Sequence, residues 1–182
     1  MGGINKFWLA GVVLAGVIGG WSATGDAGDD AAKDLAARYV LATAKAFRTT
    51  YVESVLASAK KAGVKPAEEW LNAPDSLMLP AQIVKASGFK IKEFQLGLVG
   101  LEPIALANLP RTDAEREALA KLEREPELQV ITFRDGNEFK GISADFAIDQ
   151  SCVDCHNKHP NSSKVNFKLN DLMGALIVRI AD

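Results

Sequence analysis

Cysteine and histidine are scarce in this chain: its 182 residues hold two of each, with three methionines. Two cysteines cannot build the disulfide framework that holds small secreted domains together, so stability has to come from packing. Positive charge is not in excess either. A formal net charge of −2 offers no basic face to neutralise phosphates, which excludes nucleic acid as a partner. Internal repeats, low-complexity tracts, a lipobox cysteine and a clean small-residue cleavage site are also missing. No nucleophile–base pair and no second metal-ligating cluster stands out, so enzymatic turnover is not expected. What remains is ordinary for a globular protein, 48% apolar and 24% charged, enough for one core.

The scarcity is informative because both cysteines fall within five residues. Cys152, Cys155 and His156 form Cys-Val-Asp-Cys-His, the C-x-x-C-H pattern of covalent c-type haem attachment. Side chains three and four apart share a helical face, so two sulfurs can reach the two vinyl groups of one haem. His156 stands beside them as the proximal iron ligand. One residue fewer or more in the gap would swing a sulfur off that face. Two other chemistries use similar residues. A redox disulfide wants a low-pKa thiolate at a helix start after a strand of a βαβ unit, and no such pattern surrounds the motif. A zinc site could draw on Cys152, Cys155, His156 and His159, but adjacent Cys155 and His156 could hardly both take tetrahedral positions on one ion.

The N-terminus differs from the rest. Lys6 precedes an apolar run from Phe7 to Trp21, which acids from Asp26 to Asp30 follow. Charge placed this way orients a segment from inside to outside. The run is long for a signal-peptide core and short for a full membrane span. Residues 1–28 therefore read as a signal anchor, or alternatively a cleaved signal peptide, with an acidic linker, and residues 29–182 as the exported domain. This places the domain on the periplasmic side of the inner membrane, anchored, or soluble in the periplasm after cleavage.

Along that domain, Asp29 to about Gly63 is helical in pattern, with an apolar stripe at Ala36, Val40, Ala44, Phe47, Tyr51 and Val55 expected to face the core. Arg48 flanks the stripe, where an arginine is usually solvated. Trp70 to Lys85 is mixed, broken by Pro74 and Pro80. Lys90 to Leu101 alternates as a half-buried strand. Thr112 to Glu115 is a capping box opening a helix that stops before Pro126. Leu128–Arg134 and Glu138–Ile148 flank Asp135-Gly136-Asn137 as a hairpin. Leu172–Ile180 reads as a buried strand. The sum is an α+β domain with a long N-terminal helix, antiparallel strands and a C-terminal haem-binding turn.

Beyond the motif itself, Ser151 to Asn157, His159-Pro160, Ser163-Lys164 and Phe167 to Gly174 resemble the hallmark of the monohaem c-type, PAS-like haem-domain family. That family was long catalogued as a domain of unknown function and is typified by a cyanobacterial haem protein. Leu77 to Gln82 and Leu101 to Ile104 are similar to it too, so the resemblance covers most of residues 31–182. It implies a PAS-like antiparallel sheet with haem held against it, in a protein that stands alone or serves as a sensor module. The cyanobacterial type has a distal cysteine ligand on its N-terminal helix; this chain has none there, so that ligand does not carry over.

The sixth iron position decides between electron transfer and gas binding. Met78, in an irregular segment, is the candidate sixth ligand, and Met173 is the second; an open site and simple core filling are the alternatives. His159 is tethered too close to His156 to reach the opposite haem face. Arg48, Lys164 and Lys168 are candidates for the haem propionates, and the other ring N–H of His156 is expected to donate to a carbonyl. The reading that follows is an exported monohaem c-type cytochrome holding one covalent haem. It would transfer electrons with a redox partner protein or membrane complex, because no output domain follows the last strand. The alternative is a haem-based redox or gas sensor acting through a separate partner.

Overall fold

The computed structural model describes residues 24–182; the apolar run from Phe7 to Trp21 lies outside them. Among the described residues no helix is long and apolar enough to cross a membrane. The chain opens with α1 (Thr24–Thr50), which passes through a π-helical turn (Tyr51–Leu56) into α2 (Ala57–Lys61). Asp26 to Asp30 are thus helical, and acids suit the first turns of a helix. A short parallel pair follows, β1 (Lys65–Pro66) and β2 (Ser76–Leu77), and then α3 (Pro80–Gly88). β3 (Gln95–Val99), α4 (Asp113–Arg124), β4 (Val130–Asp135), β5 (Glu138–Phe146), α5 (Gln150–Lys158) and β6 (Leu172–Ala181) complete it. The α+β class and the long N-terminal helix stand as expected.

The main sheet is antiparallel with order β3-β6-β5-β4, so β6 is central although it comes last in the chain. Its faces follow the period-2 rule of strands. Ala175 and Ile177 of β6 pack with Ile142 and Ala144 of β5 under Leu119 and Leu122 of α4. Leu176 and Val178 pack with Phe139 under Ala37 and Leu41 of α1 and Val84 of α3. The hairpin turns at Gly136, where φ is +62°, as a two-residue loop requires. Gly141 lets α1 approach β5 closely: a Cβ there would lie 3.0 Å from Leu41 Cδ1 and 3.2 Å from the Ala37 Cβ.

Several expectations need correction. The buried line of the first helix is Ala37, Leu41, Arg48, Val52 and Leu56, one residue on from the apolar stripe, a rotation of about 100°. Phe47, on the stripe, is 73% exposed. Val40 and Ala44 pack at the edge of the core, and together with Phe47, Tyr51 and Val55 they line a groove between α1 and α3 of about 680 Å³. Trp70 to Lys85 holds a helix that the prolines obscured: Pro80 occupies its first turn, where it is tolerated, and Gln82 accepts from the Leu79 N–H at 2.9 Å. The haem-binding turn is a nine-residue helix, α5. In the capping box, Thr112 accepts from Glu115 N, but the Glu115 carboxylate takes the Arg111 N–H rather than that of Thr112.

Candidate functional site

The site is built on α5, and Asp149 starts it. The carboxylate caps the helix by accepting from Ser151 N at 2.9 Å and from the Ser151 hydroxyl, and it pairs with Lys60 at 2.8 Å. The bonds from Lys60 and Ser151 hold the Asp149 carboxyl down at about 2, so it is ionised wherever the fold is stable. The first turn of α5 is therefore fastened to the end of α2. Val153, buried, anchors the helix from its inner side. At the other end Asn157 clamps Phe167 twice, donating to its carbonyl and accepting from its N–H, each at 2.9 Å.

Between these anchors lie the three motif residues. Cys152 and Cys155 are free thiols, both half-buried. Burial pushes the Cys155 thiol up, and the charges of Glu68 and Cys152 push it further; a redox disulfide needs the opposite shift. His156 is held below the usual histidine range by burial, then by His159 and Arg48. Its imidazole is neutral at pH 7, the form that ligates a metal. The Phe167 ring meets it edge-on at 5.5 Å and 86°. The His156 Nδ1 is buried and has no hydrogen-bond partner among the described residues, so the expected carbonyl does not take it. A buried polar atom left unpaired costs about 1–3 kcal/mol.

Among the described residues no group of three or more His, Cys, Asp and Glu is arranged to hold a metal ion, which removes the zinc reading. His159 is engaged elsewhere. Its Nδ1 accepts from Asn161 N at 3.1 Å, which puts the proton on Nε2, 3.1 Å from a Glu68 carboxylate oxygen. Two half-buried thiols three apart on one helix and a neutral, unpartnered imidazole next to them are a donor set that fits a c-type haem.

The other candidates are placed as follows. Arg48 is buried, 8% exposed, with Nη1 2.9 Å from Asp145, not solvated as its flanking position suggested. Lys164 holds its Nζ 4.5 Å above the Phe167 ring, while Lys168 is exposed. The structure thus brings Arg48 and Lys164 to the surroundings of His156. Met78 is half-buried, and its carbonyl accepts from the Tyr51 hydroxyl at 2.7 Å, which ties its segment to the π-helical turn. Met173 lines a small cleft with Leu119 and Glu123 of α4 and with Lys164 and Phe167.

Asp149 and Asp145 are site residues that motif reading passed over, and Asn157 and Phe167 fell within the stretches of family resemblance without being given a role. Asp149 was legible as an N-cap, two residues before Ser151. Asn157 and Phe167 work as a pair across a loop that shows no period, and Asp145 looks like any acid in a strand.

A family model, Tll0287-like, matches residues 29–181. The chain belongs to the Tll0287-like family. Among solved structures this family member is similar to one described as the crystal structure of the cyanobacterial heme-protein Tll0287. The two are 19% identical with a TM-score of 0.48, over 73% of this chain and 91% of that one. No curated protein matches the chain. For this Tll0287-like protein, the matched span begins in α1 and ends in β6, so it takes in α5 and every residue that fastens it.

Proposed function

We propose that this chain is an exported, membrane-anchored monohaem c-type cytochrome that transfers electrons, on a sheet of PAS-like type. The observation that carries the reading is α5: Cys152, Cys155 and His156 on one capped helix, with the imidazole half-buried, neutral and unpartnered at Nδ1. The family takes its name from a protein described as a cyanobacterial haem protein, and α5 is where this chain would hold the same group. Cys152 and Cys155 would bind it through thioethers and His156 through a ring nitrogen. Bound there, haem supplies a one-electron ferric/ferrous couple.

The chain's own residues do the positioning. Asp149 and Lys60 fix the start of α5, and the Asn157–Phe167 clamp fixes its end. The edge of Phe167 sets the plane of the His156 ring. Burial opposes a proton on His156, as do His159 and the Arg48 charge, and so keeps the ring available as a ligand. Met78 is the proposed sixth ligand, its segment held by Tyr51. Lys6 and the apolar run from Phe7 to Trp21 would tether the domain to the membrane, beside a redox partner protein or membrane complex.

The test is made on the full chain matured with c-type haem machinery. Haem should stay with the polypeptide through denaturing electrophoresis, and Cys152→Ala with Cys155→Ala should abolish it; a double variant that still carries haem ends the attachment model. Met78→Ala should turn a low-spin spectrum that ignores carbon monoxide into a high-spin one that responds. An unchanged spectrum removes Met78 from the sixth position.

A further inference from the structure

The chain that runs on from α5 toward β6 has a composition unlike the rest. From Cys155 to Asn170 it carries three lysines, Lys158, Lys164 and Lys168, and no acid, although acids outnumber lysine and arginine by 23 to 21 in the whole chain. It also repeats itself: Lys164-Val165 and Lys168-Leu169 each place an apolar residue directly after a cation. Both apolar side chains face water, Val165 60% exposed and Leu169 49%. A single exposed apolar residue is ordinary. Two on one short strap, set among lysines and free of acids, have the layout of a docking surface, with an apolar centre and a charged rim.

The strap is neither helix nor strand, yet side chains fix its shape. Asn157 holds Phe167 by two bonds, the Ser162 hydroxyl donates to the Lys164 carbonyl at 2.7 Å, and Asp171 accepts from Lys168 N at 2.8 Å. Because Asn157 and Phe167 are joined, the residues that follow them, Lys158 and Lys168, leave the backbone close together. They do so beside the helix that carries Cys152 and Cys155. Little neutralises them. The Lys158 side chain is 78% exposed, and Asp154 is 3.8 Å from it, beyond a hydrogen bond and worth little on a surface. Lys168 is exposed, and the Asp171 carboxylate bonds its backbone rather than its ammonium. Lys164 lies over the Phe167 ring and lines a cleft with Glu102 and Glu123, so the outward charge rests on Lys158 and Lys168.

We propose that the redox partner docks on this strap, and that the partner is a protein with an acidic surface around an apolar centre. Docking here rests on the haem reading and adds the partner to it. Electron transfer needs the two redox centres close together, and the strap is clamped to the helix that would hold the haem. Val165 and Leu169 are covered in a small interface, the size that suits transient electron-transfer encounters. Lys158 and Lys168 steer the acidic surface to this end, against an overall charge of −2 that would repel it.

The contradiction between local and overall charge gives the test a sign. On the full, haem-loaded chain, reduced haem would be oxidised by hexacyanoferrate(III), a trianion, over a range of ionic strength. The rate should fall as salt rises, because salt screens an attraction; the overall charge alone would make it rise. Polyglutamate should compete with the oxidant and polylysine of the same length should not. Lys158→Glu with Lys168→Glu, both at exposed positions, should slow the low-salt rate by about tenfold and leave the haem spectrum unchanged. The proposal is overturned by a parent rate that rises with salt, by polyglutamate without effect, or by an unchanged rate in the double variant. It is also overturned if the double variant loses haem, which would give the lysines to the haem. Binding to phosphatidylglycerol vesicles that the double variant loses overturns it too, since an anionic membrane would then be the occupant. Haem staining separates the two readings: a parent chain without covalent haem ends both, and a loaded one with the wrong salt dependence ends only the docking.

Discussion

The two faces of the sheet each bury charged side chains, and they treat them in opposite ways. Between α4 and the sheet, Glu115 of α4 is fully buried and saturated by groups that include Lys140 of β5 and Arg179 of β6. One carboxylate oxygen takes Arg179 Nε at 2.7 Å and Lys140 at 2.9 Å, and the other takes Arg179 Nη2 at 2.9 Å and Arg111 N at 2.8 Å. Lys140 has Asp135 at 2.8 Å and Glu138 at 3.1 Å besides. Under α1, Arg48 and Asp145 share one contact and a donor is left over. A closed network rigidifies a core, and the Arg48–Asp145 pair is not closed in that way. The packing agrees: a cleft on the α4 face measures about 20 Å³, the groove on the α1 face about 680 Å³.

The largest effect that would test this contrast is Glu115→Ala. It strands Arg179 in the core, while Lys140 keeps Asp135 and Glu138, and losing one side of such a cluster costs about 3–5 kcal/mol, read as a fall in urea midpoint at constant slope. Arg48→Met should cost less, about 1–3 kcal/mol, because the carboxyl it strands can take up a proton: burial already raises Asp145, against the charges of Arg48 and Lys45. Equal losses in the two variants would erase the distinction between the faces.

Acid gives a smaller but sharper comparison. Burial raises Glu115, but the bonds from Arg179, Arg111 N and Lys140 bring it down to about 2 from 4.5. Its stabilisation is complete above 4.5 and drains away as pH falls toward about 2. Asp145 has the opposite sign. Its folded pKa lies above 3.8, so the native state takes its proton first and stability is regained as pH falls through that value. Urea midpoints over the acid range should therefore fall less steeply with acid in Glu115→Gln than in the parent, and more steeply in Asp145→Asn. Parallel profiles would mean that neither carboxylate titrates as its surroundings dictate.

How much of this could be read from the sequence depended on whether the signal was local. The hairpin at Gly136, the cap at Thr112 and the alternation of Leu96 and Leu98 are set by neighbours in the chain, and the fold keeps them. The C-x-x-C-H helix was legible for the same reason. The face of α1 was not. Ala36 to Val55 makes a convincing apolar stripe, and nothing in its period says that α3 stands off and leaves it open. Arg48 looked solvated because its partner is on a strand nearly a hundred residues away. The helix after Met78 was hidden because Pro80 reads as a breaker unless its place in the first turn is known.

The order of strands in the sheet has a consequence for synthesis. β6 joins β3 to β5 and is the last of the four strands to be made, and a hairpin without it is marginal in water. α5 leaves the ribosome before β6 does. For that interval the two thiols are presented on a chain whose sheet cannot yet close. Until β6 arrives β3 stays apart from the β4–β5 hairpin, so both packed faces of the sheet form only when the last strand pairs.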